Sequence, residues 1–272
     1  MIQYTRPPRP NPWPTRLAEA EADLRRDHLA GDILKFPEHW KDYKDIFERA
    51  QFGKCGFCES KVTAVAVGAV EHHAPKSEVH TLGTPGRERP DSSNLVQGTR
   101  KTIQVHACGY WWRAYDWNNW LYACERCNSA WKRCLYPVAE VPHPAPDEAT
   151  PVTRLLLHPF DDDPLEHLDF DEQGFILARA HSARGFATIE TCGLDRESVR
   201  KERARVARSA WSHAMRVAEA INNDAERIAR DNVQDLLRLG GSDAPWAGVV
   251  RAAVRSVLKI PWADLPALVH PD

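Results

Sequence analysis

The residues most able to do chemistry in this 272-residue chain fall in one interval. Cys55-Gly56-Phe57-Cys58 and Cys124-Glu125-Arg126-Cys127 are two C-x-x-C pairs, and between them lies Val70-Glu71-His72-His73-Ala74-Pro75-Lys76-Ser77. Each pair can present two thiolates to one ion, and two such knuckles supply a tetrahedral Zn²⁺ site. The intervening stretch, residues 59–123, is long for a compact zinc ribbon, but suits knuckles with a functional hairpin and a loop between them. Two unrelated pairs of buried cysteines are the alternative. A redox C-x-x-C is weaker, because neither pair opens a βαβ unit.

Glu71, His72 and Asn128 supply the other half. Phosphodiester cleavage needs a base to activate water and a Lewis acid to stabilise charge on phosphate and leaving oxygen. A histidine suits the base, since its unperturbed pKa lies near about 6.5. The carboxylate of Glu71 and the amide oxygen of Asn128 are hard ligands of the kind that Mg²⁺ or Mn²⁺ takes. On a regular strand, Glu71 and His72 point to opposite faces, so they meet one phosphate only where the backbone bends, as Pro75 suggests. An isolated Glu-His-His tripeptide is more often surface or structural; the flanking knuckles favour function here.

Several longer patterns resemble an HNH endonuclease of the zinc-supported ββα-metal type. They are Cys55-x-x-Cys58, Val70-Glu71-His72-x-x-Pro75-x-Ser77, Asn119 ahead of Cys124, and Cys124-x-x-Cys127-Asn128 with Lys132. The aromatic run Tyr110 to Asn119 is similar to the lead-in of one branch of that family. Downstream, Leu135-Tyr136-Pro137, Leu156-Leu157-His158-Pro159, Asp162-Asp163-Pro164, His167-Leu168-Asp169-Phe170, Ala187-Thr188-Ile189 and Gly193-Leu194 extend the likeness over about residues 38–205. That branch includes PtuB-like nucleases of the Septu and retron-associated anti-phage systems.

The resemblance implies a metal-dependent endonuclease that hydrolyses DNA as the effector of an anti-phage system. It implies His72 as general base, Glu71 and Asn128 as ligands of a catalytic Mg²⁺ or Mn²⁺, and Asn119 as the residue that orders the loop holding the base. It also implies Cys55, Cys58, Cys124 and Cys127 on structural zinc, and a PtuA-like ATPase as partner. His73 stands where relatives often carry an apolar residue, and reads as a spectator more than a second ligand. Arg133-Cys134 departs from the usual small or polar pair. A ribonuclease, cleaving tRNA for example, and a non-catalytic zinc-stabilised module that binds nucleic acid or protein are the alternatives.

Lys76, Lys132 and Arg133 lie near this constellation and are the first candidates for phosphate contacts. A second basic group, Arg200, Lys201, Arg203, Arg205, Arg208 and Arg216, reads equally well as a phosphate-tracking face or as a solvated helix. The Trp111, Trp112, Trp117 and Trp120 rings could stack bases; packing a small core is the simpler use. Asp161-Asp162-Asp163 reads as a capped turn or surface loop. Cys108, Cys134 and Cys192 read as small buried hydrophobes.

The elements that must position these groups give an α+β chain: N-terminal helices, the ββα-metal nuclease module with its zinc knuckles, and a mostly α-helical C-terminal lobe. Residues 1–37 are expected to form an arm rich in proline and a helix over Thr15–Leu29. Residues 38–140 form the nuclease module, opened by a helix over Glu38–Gln51 and interrupted by an insertion at 78–109. Residues 141–272 follow a boundary marked by Pro137, Pro142, Pro144, Pro146 and Pro151. In that lobe, short strands are expected at Leu155–Leu157 and Leu168–Phe170, with a hairpin closed by residues 174–178. Helices then follow from Asp195, capped there with Ser198, with Val199, Val206, Ala210, Ala214, Val217 and Ile221 on one stripe. A second stripe is Ile228, Val233, Leu236 and Leu237, and a third is Val249, Val250, Ala253, Val254 and Leu258.

Net charge is −2 with 27% charged residues, which neither requires nor excludes nucleic acid. No apolar run approaches the roughly 20 residues of a membrane span, and Met1 to Pro8 lacks the apolar core of a signal peptide. The expectation is therefore a cytoplasmic protein with no membrane segment, where C-x-x-C pairs favour metal over disulfides.

Overall fold

The computed structural model describes residues 1–62, 68–82, 102–106, 109–139 and 153–268. The chain is α+β, with short two-stranded sheets set among helices.

Helix α1 spans Thr15–Ala30 and buries Leu17, Ala20 and Leu24, the residues whose spacing predicts it. Gly31 stops it in the left-handed conformation. The expected second helix divides into a 3₁₀ stretch, His39–Tyr43, and α2, Lys44–Ala50. Trp40, Tyr43 and Phe47 still face inward together. The proline-rich arm is not loose: Met1, Ile2 and Tyr4 are buried, and the Met1 amine donates to the Glu59 carboxylate at 2.7 Å.

Strand β1, Gly68–His72, pairs antiparallel with β4, Trp120–Cys124, in the register Glu71 to Leu121 and His72 to Trp120. Between them in sequence, β2 (Val79–Leu82) and β3 (Thr102–His106) form a second antiparallel pair. Immediately after β4 the chain turns into a wide π-type helix, Arg126–Lys132. Two antiparallel strands followed by one helix thus carry Glu71, His72 and Asn128. Residues 63–67, most of the expected insertion, Cys108 and most of the proline-rich boundary lie outside the described residues.

The remaining strands, β5 (Leu168–Phe170) and β6 (Ile176–Ala178), make the expected hairpin. Leu155–Leu157 is not a strand. Its backbone is satisfied singly instead: Leu155 N–H by the Pro137 carbonyl, and Leu157 N–H by Thr188 Oγ1. Helix α3, Ala183–Cys192, precedes the helices expected from Asp195 and ends at Gly193. A Cβ on Gly193 would come within 2.1 Å of the Trp131 ring. Only glycine combines that approach with the left-handed turn.

Helices α4 (Glu197–Asn222), α5 (Glu226–Gly240) and α6 (Ala247–Leu258) close the lobe. The residue before α4 is Arg196, with no side-chain cap, so Asp195 and Ser198 do not cap it. Val199, Ala210, Ala214 and Val217 are buried as their spacing predicts, whereas Ile221 and Ile228 stand exposed near the α4–α5 turn. One apolar cluster runs from Met1 through Trp40, Trp117 and Trp120 to Val249 and Val254, so the helical lobe and the strand pair share a core.

Candidate metal centre and candidate active-site histidine

The four knuckle cysteines converge. One ligand atom from each of Cys55, Cys58, Cys124 and Cys127 lies within 4.8 Å of all the others. Four sulfurs at a Zn–S distance of about 2.3 Å sit about 3.8 Å apart in a tetrahedron, and Cys58 Sγ to Cys124 Sγ is 3.9 Å. The Cys127 N–H points at Cys124 Sγ at 3.4 Å, and Arg196 Nη2 donates to Cys127 Sγ at 3.3 Å. A cluster of thiolates needs compensating charge, and these donors together with a cation provide it. The donor set fits structural zinc.

The cluster sits at one end of the β1–β4 pair, and His72 at the other. His72 is 7% exposed. Its ring meets Trp40 edge-on at 4.6 Å and lies 6.3 Å from Trp120. Nε2 is 2.9 Å from the Ala114 carbonyl, which also accepts from Trp120 Nε1 at 3.0 Å. A carbonyl only accepts, so Nε2 carries the proton and Nδ1 keeps its lone pair. Burial, reinforced by Lys76 and Lys132, holds the imidazole pKa well below its ordinary value and the ring neutral.

Asn119 is fully buried and fixes the loop after β1. Its Oδ1 accepts from Ala74 N–H at 2.7 Å, and its Nδ2 donates to the Ala74 and Arg113 carbonyls at 3.0 and 2.9 Å. Its own carbonyl accepts from His73 N–H at 2.8 Å. One side chain therefore ties the residues after His72 to the segment that carries the Ala114 oxygen.

Glu71 and His72 both lie within regular strand β1, so the bend expected between them is absent and their side chains leave opposite faces; Glu71 meets Lys132 Nζ at 2.5 Å. Asn128 lies half-buried in the first turn of the π-type helix. No third histidine, cysteine or carboxylate joins Glu71 in a metal-holding group among the described residues.

The other expected residues divide. Lys132 is 0% exposed and does not face solvent. Arg133 is exposed, and Lys76 is partly buried with Nζ 4.6 Å from the Trp40 ring centre. His73 packs into the core beside His158 and Tyr136, its Nε2 3.2 Å from the Leu157 carbonyl. Trp111, Trp117 and Trp120 are buried packing residues. The Asp161-Asp162-Asp163 turn pairs with Arg6, Arg154 and Arg184, and Asp163 caps a 3₁₀ turn. On α4, Arg203 is buried, Arg200 lies over Phe175, and Lys201 and Arg205 pair with Glu197 and Glu202; Arg208 and Arg216 are exposed. Cys192 is buried; Cys134 is half-buried, its thiol pushed up to about 11 by burial.

Sequence reasoning missed Trp40, the Ala114 carbonyl and Arg196. Trp40 carries no chemical signature, a carbonyl is invisible to residue type, and Arg196 reads as one of many arginines.

The fold and site define an α+β protein with a four-cysteine cluster able to hold zinc at one end of a strand pair and a tautomer-fixed histidine at the other. The chain is similar to the Septu protein PtuB of Bacillus mycoides (strain KBAB4), with 34% identity over 179 residues, 64% of this chain and 55% of that protein. It is also 27% identical over 157 residues to the Septu protein PtuA of the same strain, covering 57% of this chain and 19% of the relative. The chain thus spans about half the length of the PtuB relative and about a fifth of PtuA. No family model matches it, and no solved structure does. No helix among the described residues is long and apolar enough to cross a membrane.

Proposed function

We propose that this chain is a metal-dependent HNH-type endonuclease acting on DNA, and the nuclease component of a Septu-type anti-phage system. The observation that carries the proposal is the fixed His72 tautomer: Nε2 is committed to the Ala114 carbonyl at 2.9 Å, leaving Nδ1 as the basic nitrogen. In this reading Nδ1 takes the proton of the attacking water. Asn119 holds the loop, so that the imidazole and the Ala114 oxygen keep their register. Glu71 and Asn128 would hold a Mg²⁺ or Mn²⁺ ion, which supplies charge stabilisation to the phosphate and the leaving oxygen. Lys76 and Arg133 are the phosphate contacts on the solvent side. The four cysteines hold structural zinc, and a PtuA-like ATPase is the partner expected to license cutting.

The test is plasmid nicking by purified protein with Mg²⁺ or Mn²⁺, with EDTA, and with His72→Ala. Metal-dependent nicking that His72→Ala abolishes at unchanged zinc content supports the reading. A variant as fast as the parent removes the base assignment. RNA substrates run in parallel decide between DNA and RNA. A PtuA-like ATPase that co-purifies supports the partnership, and full activity of the isolated chain argues against it.

One observation favours a second reading, a zinc-stabilised binding module without catalysis: His72 is only 7% exposed, and Glu71 closes on Lys132. That reading predicts nucleic-acid or protein binding with no cleavage under any divalent ion.

A further inference from the structure

Among the described residues, Lys132 is the one lysine beside the site with no exposed surface, and its surroundings are built. An ammonium has three N–H donors. Lys132 Nζ has three acceptors: Glu71 Oε1 at 2.5 Å, the His72 carbonyl at 3.0 Å and the Arg133 carbonyl at 3.5 Å. The first two belong to the last two residues of β1; the third belongs to the turn that ends the π-type helix. Arg133 takes positive φ there, which brings the chain back over the ammonium.

We infer that Lys132 is a positioning residue, an internal clamp that binds the Glu71-His72 dipeptide to the end of the helix carrying Asn128, and that it makes no contact with nucleic acid. This ammonium is a charged tie between the end of the strand and the end of the helix. It holds one Glu71 oxygen directly. Through the His72 carbonyl it fixes the backbone from which the imidazole projects. A phosphate could reach it only by displacing Glu71 in the interior. The catalytic half of this inference rests on the nuclease reading; the clamp itself does not.

The test separates the two. In ¹⁵N-lysine-labelled protein, a clamped Lys132 ammonium gives a slowly exchanging signal that neither salt nor added DNA moves; a signal lost to rapid exchange, or shifted by DNA, overturns the clamp. Lys132→Met should lower the folding equilibrium constant by roughly a hundredfold or more, because it leaves Glu71 buried and unpaired. Lys132→Met with Glu71→Gln should recover much of that loss, and independent, multiplying effects would overturn the pairing. If Lys132→Met does not fold alone, recovery of a folded, zinc-loaded double variant supports the clamp, and failure of the double variant counts against it. On DNA, Lys132→Met should leave the dependence of log affinity on log salt unchanged while kcat falls about a hundredfold. A slope reduced by about 0.9 would mean that a phosphate contact was removed. A parent chain that cuts nothing would sink the nuclease reading, while the exchange and stability measurements still decide the clamp.

Discussion

Arg196 Nη2 donates to Cys127 Sγ at 3.3 Å, while Nη1 of the same guanidinium donates to the Cys192 and Gly193 carbonyls at 3.0 and 2.9 Å. The knuckle, the end of α3 and the start of α4 thus meet on one side chain. Burial opposes its charge, but the Cys127 and Cys58 sulfurs outweigh that and hold the guanidinium protonated. Arg196→Lys keeps a charge but cannot reproduce the fork. It should cost about 2–3 kcal/mol of stability and release zinc to a chelator several-fold faster. Retention equal to the parent's would show that the N–H···S bond adds nothing to the metal site.

Zinc itself should be stoichiometric, one ion per chain, by elemental analysis. Cys58→Ser and Cys127→Ser should each abolish it. Most of the apolar core lies outside the knuckles and survives, so the loss is partial rather than complete unfolding. A penalty of several kcal/mol would lower the melting temperature by about 10 °C in a chain of this size. Chelator treatment should match the serine variants, and an unchanged melting curve would rule out a structural ion.

What was legible in the sequence follows from how local the information is. A C-x-x-C pair fixes its own geometry, so the convergence of Cys55, Cys58, Cys124 and Cys127 could be read from spacing. Leu17, Ala20 and Leu24 announced α1 by period alone. Lys132 could not be read that way. Its charge suggests a surface, and only the long-range approach of Glu71 makes burial tolerable. Leu155–Leu157 has the composition of a strand, but among the described residues no strand pairs with it, and Thr188 and Pro137 take its backbone groups instead. Trp40 needed the fold, because the ring reaches His72 from a separate element.

Asn119 gives a sharper test of the loop than of the chemistry. Its side chain satisfies one backbone N–H and two carbonyls, two of these bonds fully buried and the third partly so. Asn119→Ala leaves these unpaired and should cost about 2–4 kcal/mol. Asn119→Asp keeps the shape but turns an acceptor toward two carbonyls, so it should be at least as destabilising at neutral pH. In the nuclease reading, both should slow cleavage by about a hundredfold or more, at unchanged zinc content, because the Ala114 oxygen loses its fixed place against His72 Nε2. A folded Asn119→Ala protein that cleaves at the parent's rate would separate loop order from activity.

Lys76 and Lys132 make opposite predictions although both flank His72. Lys76 Nζ lies 4.6 Å from the Trp40 ring centre and 5.9 Å from that of Phe36, and the side chain is only partly buried. Desolvation lowers its pKa, which marks an ammonium that is only partly hydrated. Lys76→Met keeps an unbranched side chain of similar length beside Trp40 and removes the charge, so stability should change by less than about 1 kcal/mol. DNA affinity should fall, and the slope of log affinity against log salt should shrink by about 0.9, the signature of one lost phosphate contact on duplex DNA. Measuring that slope for Lys76→Met beside Lys132→Met distinguishes the surface charge from the buried one. Equal slopes in parent and Lys76→Met would remove Lys76 from the nucleic-acid face.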